Sequence, residues 1–581
     1  MIKVYNLSYS YPQKDLYNKI SFVLEDGQHC AFIGSSGSGK STLVDIIMDP
    51  EEYMFDGDLE INFNHKIGHV TQFFQLDKTK ETTVFEFVGE EFIRLQKEMV
   101  SICDKMETAS EIELEVLMQA YQKALDAFDA IGGDDFETNI NNKLNLADLG
   151  NRKDLNVMEL SGGEVKIIQV IKEMLTAPNL IIMDEPDVFL DFENLNSLRK
   201  LINAYKGTLL IITHNRYLLD HCFNKIIHLE NMEIQEFDGS YVDYNFSLLQ
   251  SKIERQELSL ADDEEISRND TLINKLRLIS TENSNPSRGR ALKARMKVQE
   301  RLESNRIKAP FVDIKQPEIS FDVKNKIEDT IAIEVENYNL SFEDTLLEAV
   351  SFEIRSTDKV ALIGPNGTGK TTLLKDLFKN GSEGVRLNSD IELAYLSQNQ
   401  GDILDESKTI VNEFFDLGFN SLNEISSYLS CYGFEEEGIH QKIGSLSGGE
   451  KNILQLAKIA HSKANMLLLD EPTSHLDTYA QIALENALRE YKGAVLMISH
   501  DYYSIVNCMD YVLIIEDKNI RRMSMKKFRK MIYSSHFDKD YLELEQKKKA
   551  VETKIGSALQ DNDVELAKAL SEQLEELIAL M

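Results

Sequence analysis

Hydrophobic residues along the chain follow two periods. Met466-Leu467-Leu468-Leu469 is an unbroken apolar run that ends on Asp470 and Glu471, the pattern of a short strand buried on both faces of a parallel sheet. Ahead of it, Ile453, Leu454, Leu456 and Ala457 are spaced for one buried face of a helix that opens on a Ser-Gly-Gly turn. Ala31-Phe32-Ile33 is another apolar strand, and His214 (ITHNRY) and His500 (ISHDYY) each end one. Apolar strands alternating with amphipathic helices, with carboxylates at a strand's carboxyl end where open sheets bind ligands, predict an α/β fold.

Other stretches read as helix alone. Phe92, Leu95, Met99, Ile102 and Met106 recur at helical spacing, as do Leu114, Leu117, Tyr121, Leu125 and Phe128, with Thr108-Ala109-Ser110 between the runs. Two antiparallel helices are therefore expected at about 90–135, either an elaborated subdomain or an arm reaching another macromolecule. A helical pattern from about Tyr244 to Ser280 precedes a turn at Glu282–Ser287, with Pro286 as breaker, and a second helix follows from Arg288. In the tail, Leu544, Val551, Ile555 and Leu559, then Leu566, Leu570, Leu574 and Leu577, predict a helical hairpin broken at Gln560-Asp-Asn-Asp563. That hairpin serves packing or a partner contact.

The α/β pattern occurs twice. Gly34-Ser-Ser-Gly-Ser-Gly-Lys40-Ser41 and Gly364-Pro-Asn-Gly-Thr-Gly-Lys370-Thr371 are phosphate-binding loops, whose backbone N–H groups and following helix N-terminus suit anionic phosphates. Each is followed by Leu-Ser-Gly-Gly-Glu and then by an apolar run ending Asp-Glu-Pro. Ser161 to Glu185 and Ser447 to Glu471 are both 24 residues; Glu185 to His214 and Glu471 to His500 are both 29. One such loop is a modest signal, but two in matched register mean a duplicated nucleotide-binding domain.

At these residues the chain resembles the ATP-binding cassette superfamily, over roughly 500 of its 581 positions. The resemblance implies two P-loop cassettes in tandem and ATP hydrolysis with ATP and Mg²⁺ as cofactors. ATP would be held by Gly34, Ser35, Gly37, Ser38, Gly39, Lys40, Ser41 and Thr42 in one loop. Gly364, Asn366, Gly367, Thr368, Gly369, Lys370, Thr371 and Thr372 would hold it in the other. Ser41, Gln72 and Asp184, and Thr371, Gln398 and Asp470, would serve the metal; Glu185 and Glu471 would handle the attacking water, with His214 and His500 at the γ-phosphate. Tyr11 and Phe342 resemble the aromatic that stacks on adenine, with Tyr9, or a plain core role, as alternatives to Tyr11.

In this superfamily the signature of one cassette completes the other's site. Ser447-Gly448-Gly449 would thus close over ATP on Lys40, and Ser161-Gly162-Gly163 over ATP on Lys370, making an intramolecular cassette dimer in a monomer. Two departures stand out. The first cassette reads DEPDVFLD where the second reads DEPTSHLD, and Val165 follows the first LSGGE where Lys451 follows the second. Both sites keep their Lys, Glu and His, so both should turn over, at rates that need not match.

Composition then narrows the target. With 42% apolar residues there is material for sizeable cores, and five Cys without a Cys-x-x-Cys pair suggest neither zinc nor a disulfide framework. No run approaches the roughly 18 apolar residues of a membrane span, and the N-terminus lacks a signal pattern, so a cytoplasmic chain is expected. The net charge of −35 argues against a polyanionic partner. Residues 288–308, however, carry eight Lys/Arg against two Glu. Arg288, Arg290, Lys293, Arg295, Lys297 and Arg301 suit phosphates by a salt-dependent, largely sequence-independent attraction, or else form a solvated connector.

Two cassettes without a membrane span, joined by a charged two-helix linker, resemble the F subfamily of this superfamily. That resemblance implies a ribosome partner (rRNA and tRNA) and a part in translation or in ribosome protection against antibiotics. The alternatives are a tandem ATPase subunit of an importer and an ATPase that clamps branched DNA. The expected boundaries are 1–240, 241–310, 311–531 and 532–581: first cassette, linker, second cassette and C-terminal extension.

Overall fold

A computed structural model describes residues 2–11, 14–61, 67–72, 81–176, 179–188, 190–282, 293–299, 317–324, 329–342, 345–379, 383–436, 438–536 and 541–580. Arg288, Arg290, Arg301, Phe189 and most of the turn expected at 282–287 lie outside the described residues. The chain forms two compact units, Met1–Asp238 with Lys315–Ile532, and Gly239–Ile314 with Tyr533–Met581.

The first unit holds two α/β halves built alike. In the first, five parallel strands run in the order Ile67–Val70, Leu180–Asp184, Thr208–Ile212, His29–Ile33 and Lys225–Glu230, and Glu233–Asp238 adds an antiparallel edge. The second repeats this with Leu393–Leu396, Met466–Asp470, Ala494–Ile498, Lys359–Ile363, Tyr511–Glu516 and Asn519–Ser524. Met466–Asp470, Ala494–Ile498 and Thr208–Ile212 are buried throughout, which is why their sequences lack the alternation of a half-exposed strand. A three-stranded antiparallel sheet flanks each half.

The repeated Leu-Ser-Gly-Gly-Glu has a local explanation in helix capping. Ser161 and Ser447 are the N-caps of helices Gly162–Leu175 and Gly448–Ser462, and each forms a capping box with the Glu three residues on, Glu164 and Glu450. Helices Glu90–Met106 and Glu111–Ala130 occupy the interval where the first half is longer. They close over Phe92, Leu95, Ile102, Ala124 and Phe128, with the Phe92 ring stacked 5.1 Å from Phe136.

In the second unit, Tyr241–Glu282 is one 42-residue helix, and 293–299 is helical. Asn269 ties the two together, its amide donating to the Gln299 side-chain oxygen at 2.7 Å and to the Arg295 carbonyl at 3.3 Å. Helices Tyr541–Gln560 and Val564–Ile578 pair as the C-terminal hairpin. Ile253 of the long helix shares a core with Ile555, Ala558, Ala567 and Leu574 of the hairpin. Gln256 to Asn562 at 2.6 Å and Lys568 to Glu257 at 2.7 Å border that core. Val551, Ile555, Leu559, Leu570 and Leu574 of the tail's apolar stripe thus pack around this core, whereas Leu566 stays exposed. Among the described residues no helix is long and apolar enough to cross a membrane.

Candidate active sites

Each phosphate loop joins a buried central strand to a helix beginning at its lysine, Lys40–Met48 and Lys370–Lys379. Gly39 and Gly369 adopt left-handed φ of 101° and 90° immediately before those lysines, a turn that glycine makes without strain. Lys40 is buried and donates to the Gly34 and Ser35 carbonyls at 2.9 Å each. Lys370 does the same to Gly364 and Pro365, at 2.7 and 2.8 Å. Thr371 donates to Asp470 at 3.3 Å, and Ser41 hydrogen-bonds Asp184. The hydroxyl of Ser38, Oδ2 of Asp470 and Nδ1 of His500 are buried without a hydrogen-bond partner among the described residues. A hydroxyl, one carboxylate and a buried lysine converging on a cradle of backbone N–H groups fit a nucleotide triphosphate with an oxygen-seeking cation.

The two halves meet across these loops. The Ser36 N–H donates to Asp477 at 3.2 Å, and its counterpart, the Asn366 N–H, to Asp191 at 3.4 Å. A side chain at Gly449 would meet Ser36 Oγ and the His475 carbonyl, both at 2.6 Å, so that glycine is a close approach between halves. On the opposite side, Gly162 and Gly163 line a 460 Å³ cavity together with Gly367, Gly369 and Lys370. Each signature turn therefore stands at the other half's phosphate loop. Tyr11 and Phe342 are both exposed, Tyr11 as the last residue of strand Ile2–Tyr11 and Phe342 as the residue after strand Ile331–Ser341.

Arg216 adds a contact with no counterpart. With its side chain 10% exposed, it pairs with Glu485 and, at 3.0 Å, with Asp501 of the second half, and it lies 4.8 Å from the Tyr503 ring centroid. The corresponding position in the second half is Tyr502.

The catalytic candidates Glu185 and Glu471 sit in matching strained geometry, with φ of 45° and 50°. Their partners differ. Glu185 accepts from the Gln72 amide at 2.5 Å and lies 3.4 Å from Nδ1 of His475, a residue of the other half. Glu471 instead faces His500 of its own half, accepting from its N–H at 3.3 Å with the ring 3.6 Å away. Gln398 is exposed and lines the cavity with Glu471, and among the described residues no hydrogen bond joins the two.

Electrostatics follow the same division. Burial, helped by Asp470, pushes Glu471 up to about 8. Burial works in that direction on Glu185 too, but the His475 bond, His214 and Lys40 outweigh it and hold Glu185 below the ordinary carboxylate value. Burial lowers His214 to about 4 and His500 to about 3, with Lys40 and Lys370 adding to it, so both rings are neutral at neutral pH.

Two positioning residues escaped the sequence reading. Lys166 is buried and donates to the Thr71 and Gln72 carbonyls, fixing the glutamine segment. Valine before it and isoleucine after it gave no cue to an inward cation. His475 lay within a motif already noted as a departure, but its reach to Glu185 depends on how the halves pair. Its left-handed φ of 60° is a second unusual backbone near the carboxylate.

The family model for ABC transporters matches residues 17–188 and 347–474, which contain both phosphate loops, both signature turns and both Asp-Glu strand ends. ABC transporter F family member 5 of Arabidopsis thaliana is 30% identical over 535 residues, 89% of this chain and 75% of that one. The energy-dependent translational throttle protein EttA of Haemophilus influenzae is 30% identical over 537 residues, 86% of this chain and 89% of that one. Among solved structures, a chain from the complex of the archaeal ribosomal stalk protein aP1 with the archaeal ribosome recycling factor aABCE1 shares the fold. It has a TM-score of 0.54 at 18% identity and covers 91% of this chain and 92% of its own. Family matches over more than half of the chain, with 30% identity to its F members along most of its length, establish this protein as an ATP-binding cassette ATPase of the F subfamily.

Proposed function

We propose that this ATPase binds the ribosome in its ATP-bound, closed state and modulates translation, hydrolysis returning it to a state that lets go. The observation that carries the reading is the linker. Lys293, Arg295 and Lys297 are exposed on a helix held to its partner by Asn269, in a chain of net charge −35. Cations concentrated against that background suit the phosphates of rRNA or tRNA. The relative named as a translational throttle supports the same target.

At each site, Lys40 or Lys370 would neutralise the β- and γ-phosphates, and Ser41 with Asp184, or Thr371 with Asp470, would hold Mg²⁺ beside Gln72 or Gln398. The metal, when bound, supplies charge neutralisation between the phosphates. Glu185 and Glu471 would orient and deprotonate the attacking water, while neutral His214 and His500 would donate to the γ-phosphate. Tyr11 and Phe342 present exposed rings for adenine.

Sedimentation tests the target. The full chain should pellet with purified ribosomes in a non-hydrolysable ATP analogue and stay in the supernatant with ADP. Recovery on membranes or branched DNA, with ribosome fractions empty, sinks the proposal.

The linker makes a second prediction. Changing Arg288, Arg290, Lys293, Arg295 and Lys297 to Gln should weaken ribosome binding by at least about fivefold and flatten its salt dependence. ATPase activity without ribosomes should stay roughly as it was. Unchanged affinity and salt slope would reduce the segment to a solvated connector. A chain displacing inhibitors and one serving translation generally would share these contacts, so survival of cells expressing it under ribosome-directed antibiotics separates the two tasks.

A further inference from the structure

The two halves differ at one pair of corresponding edges. In the first, strand Glu233–Asp238 carries Glu233, Glu236 and Asp238. Glu236 is neutralised across the sheet by Lys225 at 2.7 Å. In the second, the matching strand Asn519–Ser524 carries Arg521 and Arg522, and helix Met525–His536 continues with Lys526, Lys527, Arg529 and Lys530. No acidic residue interrupts 519–537. Where Lys225 closes the charge in one half, Tyr511 stands in the other, and the Arg522 guanidinium lies 3.6 Å over its ring. That stacking holds the guanidinium in place, and among the described residues no carboxylate pairs with it.

The helix points its cations outward. Phe528 and Ile532 are buried and Arg529 turns inward, donating to the Val506 carbonyl at 2.9 Å, whereas Lys526, Lys527 and Lys530 are exposed on the other face. Arg521, Lys526, Lys527 and Lys530 have no carboxylate partner among the described residues. Two of these lysines sit in the first helical turn, which contains no acid. The helix dipole disfavours cations there, and the signature helices place Glu164 and Glu450 in that turn instead. Local stability therefore does not account for these charges.

We infer that this edge, Arg521, Arg522, Lys526, Lys527 and Lys530, is a second docking surface for the RNA phosphate backbone, separate from the linker. The inference rests on the ribosomal reading above for the source of that RNA. An acidic protein is the poorer fit, because protein interfaces centre on apolar and aromatic residues and are depleted in lysine. Here Ile520, Met523 and Phe528 are all turned inside, and nothing large and apolar is exposed between 519 and 532.

The test uses the full chain with Lys526→Glu, Lys527→Glu and Lys530→Glu together, and two probes: purified ribosomes and protein-free ribosomal RNA. Binding to both should fall on the order of tenfold, and the slope of log affinity against log salt should become shallower by about two. The melting temperature should hold or rise, since acids suit the helix start, and ATPase activity without RNA should be unchanged. Parental binding of the variant to both probes overturns the surface. Loss on ribosomes with free RNA still bound at parental strength also overturns it, assigning the edge to an acidic ribosomal protein. A parent that ignores ribosomes but binds free RNA through these lysines keeps the surface and fails the ribosomal reading; a parent that binds neither overturns both.

Discussion

Replacing Glu185 and Glu471 together by Gln should slow ATP hydrolysis roughly a thousandfold while leaving ATP binding near the parental level. Both carboxylates stand beyond the phosphate loops, at the ends of strands Leu180–Asp184 and Met466–Asp470, and the cations that would hold the triphosphate are Lys40 and Lys370. Gln keeps the side-chain size and removes the base, a change worth about 10²–10⁴ in rate for a positioned general base. It also removes the negative charge of Glu185 beside a polyanion, whereas Glu471, pushed up to about 8, carries little charge at neutral pH, so closure should persist and the chain should accumulate on its target. Phosphate release under multiple turnover reads the first effect, and filter retention of labelled ATP the second. A variant that hydrolyses within a few-fold of the parent would remove both residues from the chemistry. One that loses nucleotide would show that they act in binding.

How much of this was legible beforehand divides along a physical line. Strands buried on both faces, capped helices and phosphate loops are local, and their residues announce them: Met466–Asp470 by an unbroken apolar run, the signature helices by Ser and Glu three apart, the loops by glycine spacing. The duplicated register made the second copy vouch for the first. Contacts between halves are not local. Arg216 looked like any charged residue after a histidine, yet it pairs with Glu485 and Asp501 of the other half. The tail's leucine stripe fitted a partner surface as well as an internal core, and only the fold shows Ile253 sharing a core with Ile555 and Leu574 while Leu566 stays exposed.

His475 illustrates the same divide and makes the last prediction. It belongs to the second cassette but reaches the first site, where it and Gln72 both contact one oxygen of Glu185. Among the described residues the second site shows no such arrangement: Glu471 leans on His500 of its own cassette, and the residue corresponding to His475 in sequence is Phe189, which has no hydrogen-bonding atom in its side chain. A hydrogen bond to a charged group contributes about 1.5–3 kcal/mol. At 3.4 Å the lower end applies, which corresponds to about tenfold in rate if the bond orients the base. In a Glu471→Gln background, where only the first site turns over, His475→Ala should therefore slow hydrolysis about tenfold with little change in the ATP concentration at half-maximal rate. In a Glu185→Gln background, where only the second turns over, it should do almost nothing. His475→Asn controls for the left-handed backbone, which Asn tolerates better than Ala, and its amide should restore part of the rate. An equal fall in both backgrounds would mean that His475 merely supports the interface. A fall confined to the first site would make the base there depend on a side chain of the neighbouring cassette, over and above the signature turns that both sites share.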